Sequence, residues 1–300
     1  PDIIYWRSKY LRSIKSYREK GRNIIYIDES WMDNNLTFGK CWQSDDIHGV
    51  TTNTSSSNRL ILVNAGSKDG FIPGASLIFR AGLATGDYHG QMNGVNFEKW
   101  MVEKLFPNIS HPSVIVLDNA PYHSVQENKP PSKYAVKEEM RKWLQDNKIK
   151  FSADKKKDEL FDLIQRFKPQ EKTYHIDKLI SMHGHIALRL PPYMCELNAI
   201  ELAWAAIKRY VREHNVTGDL SLTRLQQETE NAVISITPAD WEGYISHVKK
   251  LEDEFRQKDG LMEDIMDSLI ISAGGIDSSD EDNSSEESHS DSELTHPLSD

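Results

Sequence analysis

Two short apolar runs in this chain each lead into an aspartate: Ile24-Ile25-Tyr26-Ile27-Asp28-Glu29-Ser30, and Val114-Ile115-Val116-Leu117-Asp118-Asn119-Ala120-Pro121-Tyr122-His123. The second run has no polar alternation, which marks a strand buried on both faces. An aspartate at the end of a core strand sits at the rim of a rigid sheet, beside loops that can admit a substrate. Taken singly, such an aspartate is also what a turn or a helix cap needs.

The rest of the pattern fits a mixed α/β chain. Asn23–Ile27, Arg59–Val63 and Ala75–Phe79 read as three antiparallel neighbours separated by Gly, Ser, Asn and Pro. Phe97, Trp100, Met101 and Leu105 are spaced for a helix, as is the stretch Ala135–Asp146. Ile186–Leu190 reads as a further strand, ended by Pro191-Pro192. Helices are predicted over Asn198–Glu213, Leu222–Ser235 and Pro238–Lys258. At the front, Tyr5, Trp6, Tyr10, Leu11, Ile14 and Tyr17 line one helical face, and Gly21 stops the helix. Residues 1–22 hold seven Lys or Arg against two acidic residues. Such a face suits phosphates and equally suits plain solvation.

Charge and cysteine content narrow the class. The formal charge is −10, yet 276–300 alone holds nine carboxylates and no Lys or Arg, so the remainder is nearly neutral. From about 272 the chain is Gly, Ser, Asp and Glu, a composition that predicts a disordered acidic tail. Two distant cysteines, Cys41 and Cys195, exclude a disulfide scaffold and point to a reducing compartment. No apolar run reaches the 18 or so residues of a membrane span, and the first residues lack a signal-peptide pattern. The opening Pro1 predicts that further sequence precedes it.

A third acidic residue, Glu201, stands in Pro191-Pro192-Tyr193-Met194-Cys195-Glu196-Leu197-Asn198-Ala199-Ile200-Glu201-Leu202-Ala203-Trp204. Three carboxylates suit one or two divalent ions, because Mg²⁺ prefers hard oxygen ligands and keeps positions for water and phosphate. The ordered set Tyr-Ile-Asp-Glu-Ser, Leu-Asp-Asn-Ala-Pro-Tyr-His, Leu-Pro-Pro-Tyr and Glu-Leu-Asn-x-Ile-Glu-x-x-Trp resembles the catalytic domain of mariner-type transposases, within the DDE/D superfamily. The resemblance implies an RNase H-like fold, a five-stranded mixed sheet flanked by helices, over 23–215. A basic linker helix, 1–22, would precede it. Residues 150–182 would form a helical insertion before the last strand, 216–271 the C-terminal helices, and 272–300 the tail. Met194-Cys195 and Ala199 stand where family members carry Ser-Pro and Pro, and 82 residues separate Asp118 from Glu201. The helix-turn-helix units that such transposases carry in front do not occur in these 300 residues.

The resemblance further implies that Asp28, Asp118 and Glu201 hold two Mg²⁺, with Mn²⁺ as a substitute. The ions would lie about 4 Å apart and bind the attacking and leaving oxygens of an in-line phosphodiester displacement. Asn119, His123 and Asn198 are neighbours of the site, and Lys208, Arg209 and Arg212 are candidates for phosphate contacts. The partner would be DNA, with a homodimer as an open option and no membrane, in the nucleus. The alternative is a transposon-derived host protein that binds DNA or another protein and no longer cuts.

Local readings compete with these. Asn198 and Glu201 have the spacing of a capping box that merely starts a helix. His175, His183, His185 and Cys195 lack zinc-site spacing. His123 could act as a base or simply hold its loop. Gly82, Gly86, Gly90 and Gly94 do not form a phosphate loop.

Overall fold

The structure, a computed structural model, describes residues 2–36, 59–82, 91–169, 171–215 and 220–274, with the backbone alone over 261–274. The acidic stretch 276–300, Cys41, Gly86 and Gly90 lie outside the described residues.

Helix α1 (Asp2–Glu19) ends where Gly21 takes φ +65, a left-handed conformation that costs glycine nothing. There the Gly21 and Arg22 amides satisfy the Arg18 and Tyr17 carbonyls at 2.9 and 3.0 Å. Strands β1 (Asn23–Asp33), β2 (Arg59–Ser67), β3 (Gly70–Phe71) and β4 (Leu77–Arg80) follow. Next come α2 (Gly94–Trp100), capped by the Asn93 side chain and continued by a π turn over Met101–Leu105, and strand β5 (Ser113–Leu117). Helices α3 (Lys137–Asp146), α4 (Lys157–Phe167) and α5 (His175–Met182) lead to β6 (Ile186–Arg189). Then come α6 (Ile200–His214), α7 (Leu222–Ser235) and α8 (Pro238–Gly274). Helix α8 continues beyond Lys258 to Gly274, through a stretch with no proline to stop it.

The sheet runs in the order β3-β2-β1-β5-β6, with β4 also on β2. Strands β1, β5 and β6 are parallel, whereas β2 is antiparallel to β1, β3 and β4. Strands β3 and β4 pair with separate parts of β2, Gly66–Ser67 and Leu60–Val63. Six strands therefore occupy five positions, and the sheet is the expected mixed one with its third strand interrupted.

Both faces of the sheet are covered, which is why its central strands show no polar alternation. Period-two geometry sends Tyr26, Leu62, Val114 and Val116 to one face, where they pack with Leu11, Ile14, Trp204 and Trp241. Ile25, Ile27, Ile115 and Leu117 go to the other, against Phe97, Trp100, Ile176 and Ile180. Gly66 makes room for Trp241: a Cβ there would lie 1.9 Å from the indole ring. Met140, Trp143 and Leu144 of α3 form a separate small core with Leu160 and Ile164 of α4. Helix α5 belongs to the main core instead. The chain divides into two compact units, Pro1–Arg256 and Gln257–Asp300, and everything below concerns the first.

Candidate active site

Strand β1 is longer than its apolar run. Asp28, Glu29 and Ser30 lie inside it because β2 keeps pairing as far as Asp33↔Arg59. Strand β5, however, aligns with β1 only from Asn23↔Ser113 to Tyr26↔Val116. Two residues past that last pair stand Asp28 and Asp118, abreast on neighbouring chains about 4.8 Å apart in a sheet. The aspartate at the end of the second run thus meets the first where β1 outlasts its partner.

Helix α6 brings the third carboxylate. Trp204 Nε1 donates to Asp28 Oδ2 at 3.1 Å, and Glu201 lies three residues earlier, on the same side of the helix. The expected capping box is absent. Helix α6 starts with Ala199 at the cap position and no side-chain cap bond; the Asn198 amide is turned to β1, where its Nδ2 donates to the Ile27 carbonyl at 3.2 Å and its Oδ1 is left without a partner. Glu201 is therefore free of the helix-starting role that its spacing suggested, and Asn198 is a tie between α6 and the strand that carries Asp28.

The charges of the three groups are felt mutually. Burial raises the Asp28 carboxyl well above its ordinary value, and Glu29, Glu201 and Asp118 push it further. Burial also raises Glu201, with Asp118 adding to the rise and Lys208 opposing it. Asp118 goes the other way. Burial alone would raise it, but hydrogen bonds from His123 and the Ala120 amide outweigh that and hold it below its ordinary value. Both bonds, at 2.6 Å and 3.0 Å, fall on Oδ1 and leave Oδ2 out. The turn role foreseen for a lone strand-end aspartate and its place beside Asp28 thus coexist.

His123 is the pivot of the β5 loop. Its ring is buried, stacks at 4.1 Å on Phe97, and places Nδ1 on Asp118 and Nε2 on Glu29 Oε1 at 3.1 Å. Burial would lower its pKa, yet the two carboxylates raise it to about 9. With each ring nitrogen on a carboxylate, His123 ties the β5 loop to strand β1. Tyr122 donates from its hydroxyl to Glu29 Oε2 at 3.1 Å. Asn119 Nδ2 donates to the Leu190 carbonyl at 2.7 Å, joining the β5 and β6 loops. Arg189 grips Asp177 through two nitrogens and reaches the His123 carbonyl at 2.6 Å.

Sequence reasoning passed over Glu29, Tyr122 and Arg189 as functional residues. Glu29 had a signal: it follows Asp28, so period two puts it on the opposite face of β1, toward Phe97. Arg189 had none, since its partners lie far along the chain.

A cleft of about 400 Å³ opens beside Asp28, Glu29 and Asp118, bounded by Trp31, Arg59 and Tyr122. Trp31 is 54% exposed, with the Arg59 guanidinium 5.6 Å and the Lys208 ammonium 5.5 Å from its ring centroid. Lys208 therefore stands near the carboxylates. Arg209 points away and pairs with Glu213 at 3.0 Å, and Arg212 sits half-buried in the last turn of α6.

Hard carboxylate oxygens whose ionisation is hindered by one another fit a divalent cation. Close by on the chain, Asn198 Oδ1 is buried with no hydrogen-bond partner among the described residues. As placed, no three His, Cys, Asp or Glu among the described residues form a ready cage, so the fit rests on donor chemistry and not on a preformed shell. The histidines weighed for zinc lie elsewhere: His183 stacks on Phe106, His185 accepts from the Ser113 amide, and His175 faces Glu98 and Glu127.

Residues 23–222 match the family model described as DDE superfamily endonuclease. No curated protein matches the chain. Among solved structures, a Mos1 transposase paired-end complex with left transposon end is similar at TM-score 0.53 and 12% identity, covering 87% of this chain and 63% of that one. A Mos1 mariner paired end complex with Mn matches at TM-score 0.50 and 13% identity, and a pre-cleavage Mos1 transpososome at 0.50 and 12%. Coverage is 87% and 63% for the former, 86% and 63% for the latter. The likeness is one of fold, and the chain spans under two thirds of the length of those it matches. No helix among the described residues is long and apolar enough to cross a membrane.

Proposed function

The chain belongs to the DDE superfamily of endonucleases, and from that premise we propose that it cuts and rejoins DNA phosphodiesters as mariner transposases do, with Asp28, Asp118 and Glu201 holding divalent ions. One observation supports this reading: Asp28 and Asp118 border one cleft at the edge of the sheet, and Glu201, at the start of α6, is near enough to add to the rise of the Asp28 carboxyl. Mg²⁺ or Mn²⁺ bound there would polarise the phosphodiester and lower the pKa of the attacking water or 3′-hydroxyl. A relative of this fold was solved as a complex with Mn.

The chain's own residues do the positioning. The Trp204 indole and the Glu29 backbone amide hold the Asp28 carboxylate in place. His123 and the Ala120 amide fix Oδ1 of Asp118, so the carboxylate enters the reaction already oriented and ionised. Glu29, tied to His123 and Tyr122, acts as a support of that orientation rather than a metal ligand. Lys208, beside the carboxylates, offers a phosphate contact that Arg212 extends along α6, whereas Arg209 is taken up by Glu213. With DNA as the proposed substrate, the nucleus is the compartment this reading implies.

The test is nicking of supercoiled DNA with Mg²⁺ or Mn²⁺. Wild-type protein nicks, and Asp118→Asn abolishes nicking while its circular dichroism stays native. Nicking by a folded Asp118→Asn variant at the wild-type rate refutes the assignment. Wild-type protein that binds DNA but never nicks it selects the non-cutting alternative.

A further inference from the structure

At the end of β1 remote from Asp28, a second cavity of about 290 Å³ lies between the Gly21 turn, the β2–β3 turn and helix α8. Ile24, Tyr26 and Ile245 give it an apolar floor. Four cations line it, Arg18, Arg22, Lys68 and Lys249, and no carboxylate does. Arg18 is committed inward: it grips Glu252 through both terminal nitrogens and donates to the Tyr26 hydroxyl at 3.0 Å. Arg256 also reaches Glu252, so that buried carboxylate is already outnumbered by its own partners. Arg22, Lys68 and Lys249 are exposed and make no ion pair among the described residues.

Like charges gathered round one concavity repel; Glu252 offsets Arg18, and no carboxylate lining the cavity offsets Arg22, Lys68 and Lys249. Four elements supply them: the end of α1, the link into β1, the hairpin turn and α8. A run along one helix face would be solvation, whereas convergence from separate elements on a cavity is the pattern of an anion site. An apolar floor under a cationic rim suits a sugar and its phosphate.

We propose that this cavity binds an internucleotide phosphate of DNA, as an anchoring site separate from the cleavage cleft. From Ile24 to Asp28 is about 13 Å along the strand, so a contact here grips the duplex without touching the reacting bond. It carries no sequence information, because phosphate contacts set register and leave the bases unread. The inference rests on the DNA-acting reading above.

The test compares the whole chain with Arg22→Gln/Lys68→Gln/Lys249→Gln, and with a charge-matched control, Lys104→Gln/Lys148→Gln/Lys150→Gln. Binding of a short duplex is measured by fluorescence anisotropy over a salt series. The cavity variant loses affinity at low salt, and its log K against log salt slope becomes shallower by about 0.9 for each phosphate released. The control keeps the wild-type slope, and nicking at saturating DNA keeps its rate in all three. An unchanged slope in the cavity variant, or an equal change in the control, overturns the inference and leaves the DNA-acting reading standing. Wild-type protein that binds no DNA at any salt takes both down. Pyrophosphate that raises the Tm of wild type but not of the cavity variant, with the DNA slope unchanged, assigns the cavity to a free anion and overturns the DNA assignment.

Discussion

Asp28→Asn removes one negative charge at nearly constant shape, and it should make the protein more stable while ending its chemistry. Asp28 is buried by α6 and β1, faces Asp118 and Glu201, and adjoins Glu29. A carboxyl raised by folding binds its proton more tightly in the folded chain than in the unfolded one. Its ionised form therefore costs stability in full above the folded pKa, and that cost fades as pH falls toward the ordinary 3.8. The Asn replacement keeps an oxygen for Trp204 Nε1, so the hydrogen bond, about 1 kcal/mol net, survives. The balance at pH 7 is a gain on the scale of an ordinary single substitution, about 1 kcal/mol, roughly 2 to 4 °C in Tm for a unit of this size. Divalent ion reverses the order. At a hundredfold excess over its Kd, Mg²⁺ adds about 2.7 kcal/mol to the wild type and far less to the variant. Differential scanning calorimetry with and without Mg²⁺ reads both effects. A variant several degrees less stable than wild type in EDTA, or one that Mg²⁺ stabilises equally, refutes the argument that these carboxylates are held together for a cation.

Glu201→Gln should leave stability at pH 7 within about 0.5 kcal/mol in urea, below the roughly 1 kcal/mol of a cap, since α6 begins without a capping bond; nicking should be lost. A loss above about 1 kcal/mol would mean that the side chain holds the helix after all. His185 is buried, and desolvation with His183 nearby lowers its pKa below 6.5. Its neutral Nδ1 accepts from the Ser113 amide at 3.2 Å, so wild-type stability falls as pH drops through 6.5, where the unfolded chain takes the proton first. His185→Gln should show a flatter urea midpoint between about pH 5 and 6.5, and parallel profiles would contradict the assignment.

The amino-acid sequence by itself determined where the main strands lie, though not where β1 and β2 stop, because pairing carries both past their apolar runs. The runs ending at Asp28 and Asp118 are apolar because both faces of their sheet are covered, and that cause is local enough to be read from composition. It also determined α1 with its glycine stop, and α7. The mixed sheet and Glu201 came from motif resemblance, since nothing local separates a catalytic Glu three residues after Asn from a cap. Tertiary structure alone decided which role each residue takes. Asn198 gives up capping because the Ile27 carbonyl, 171 residues away in sequence, comes within 3.2 Å. His123 becomes a charged clamp because two carboxylates from strands far apart in sequence meet at its two nitrogens. Asp28 lies mid-strand, and only the shorter reach of β5 turns that position into an edge. The cationic cavity is likewise invisible in sequence, where its residues are scattered from 18 to 249 and meet only in the fold. Local pattern fixes what a residue can do alone, and partners brought from afar by packing fix which of those things it does.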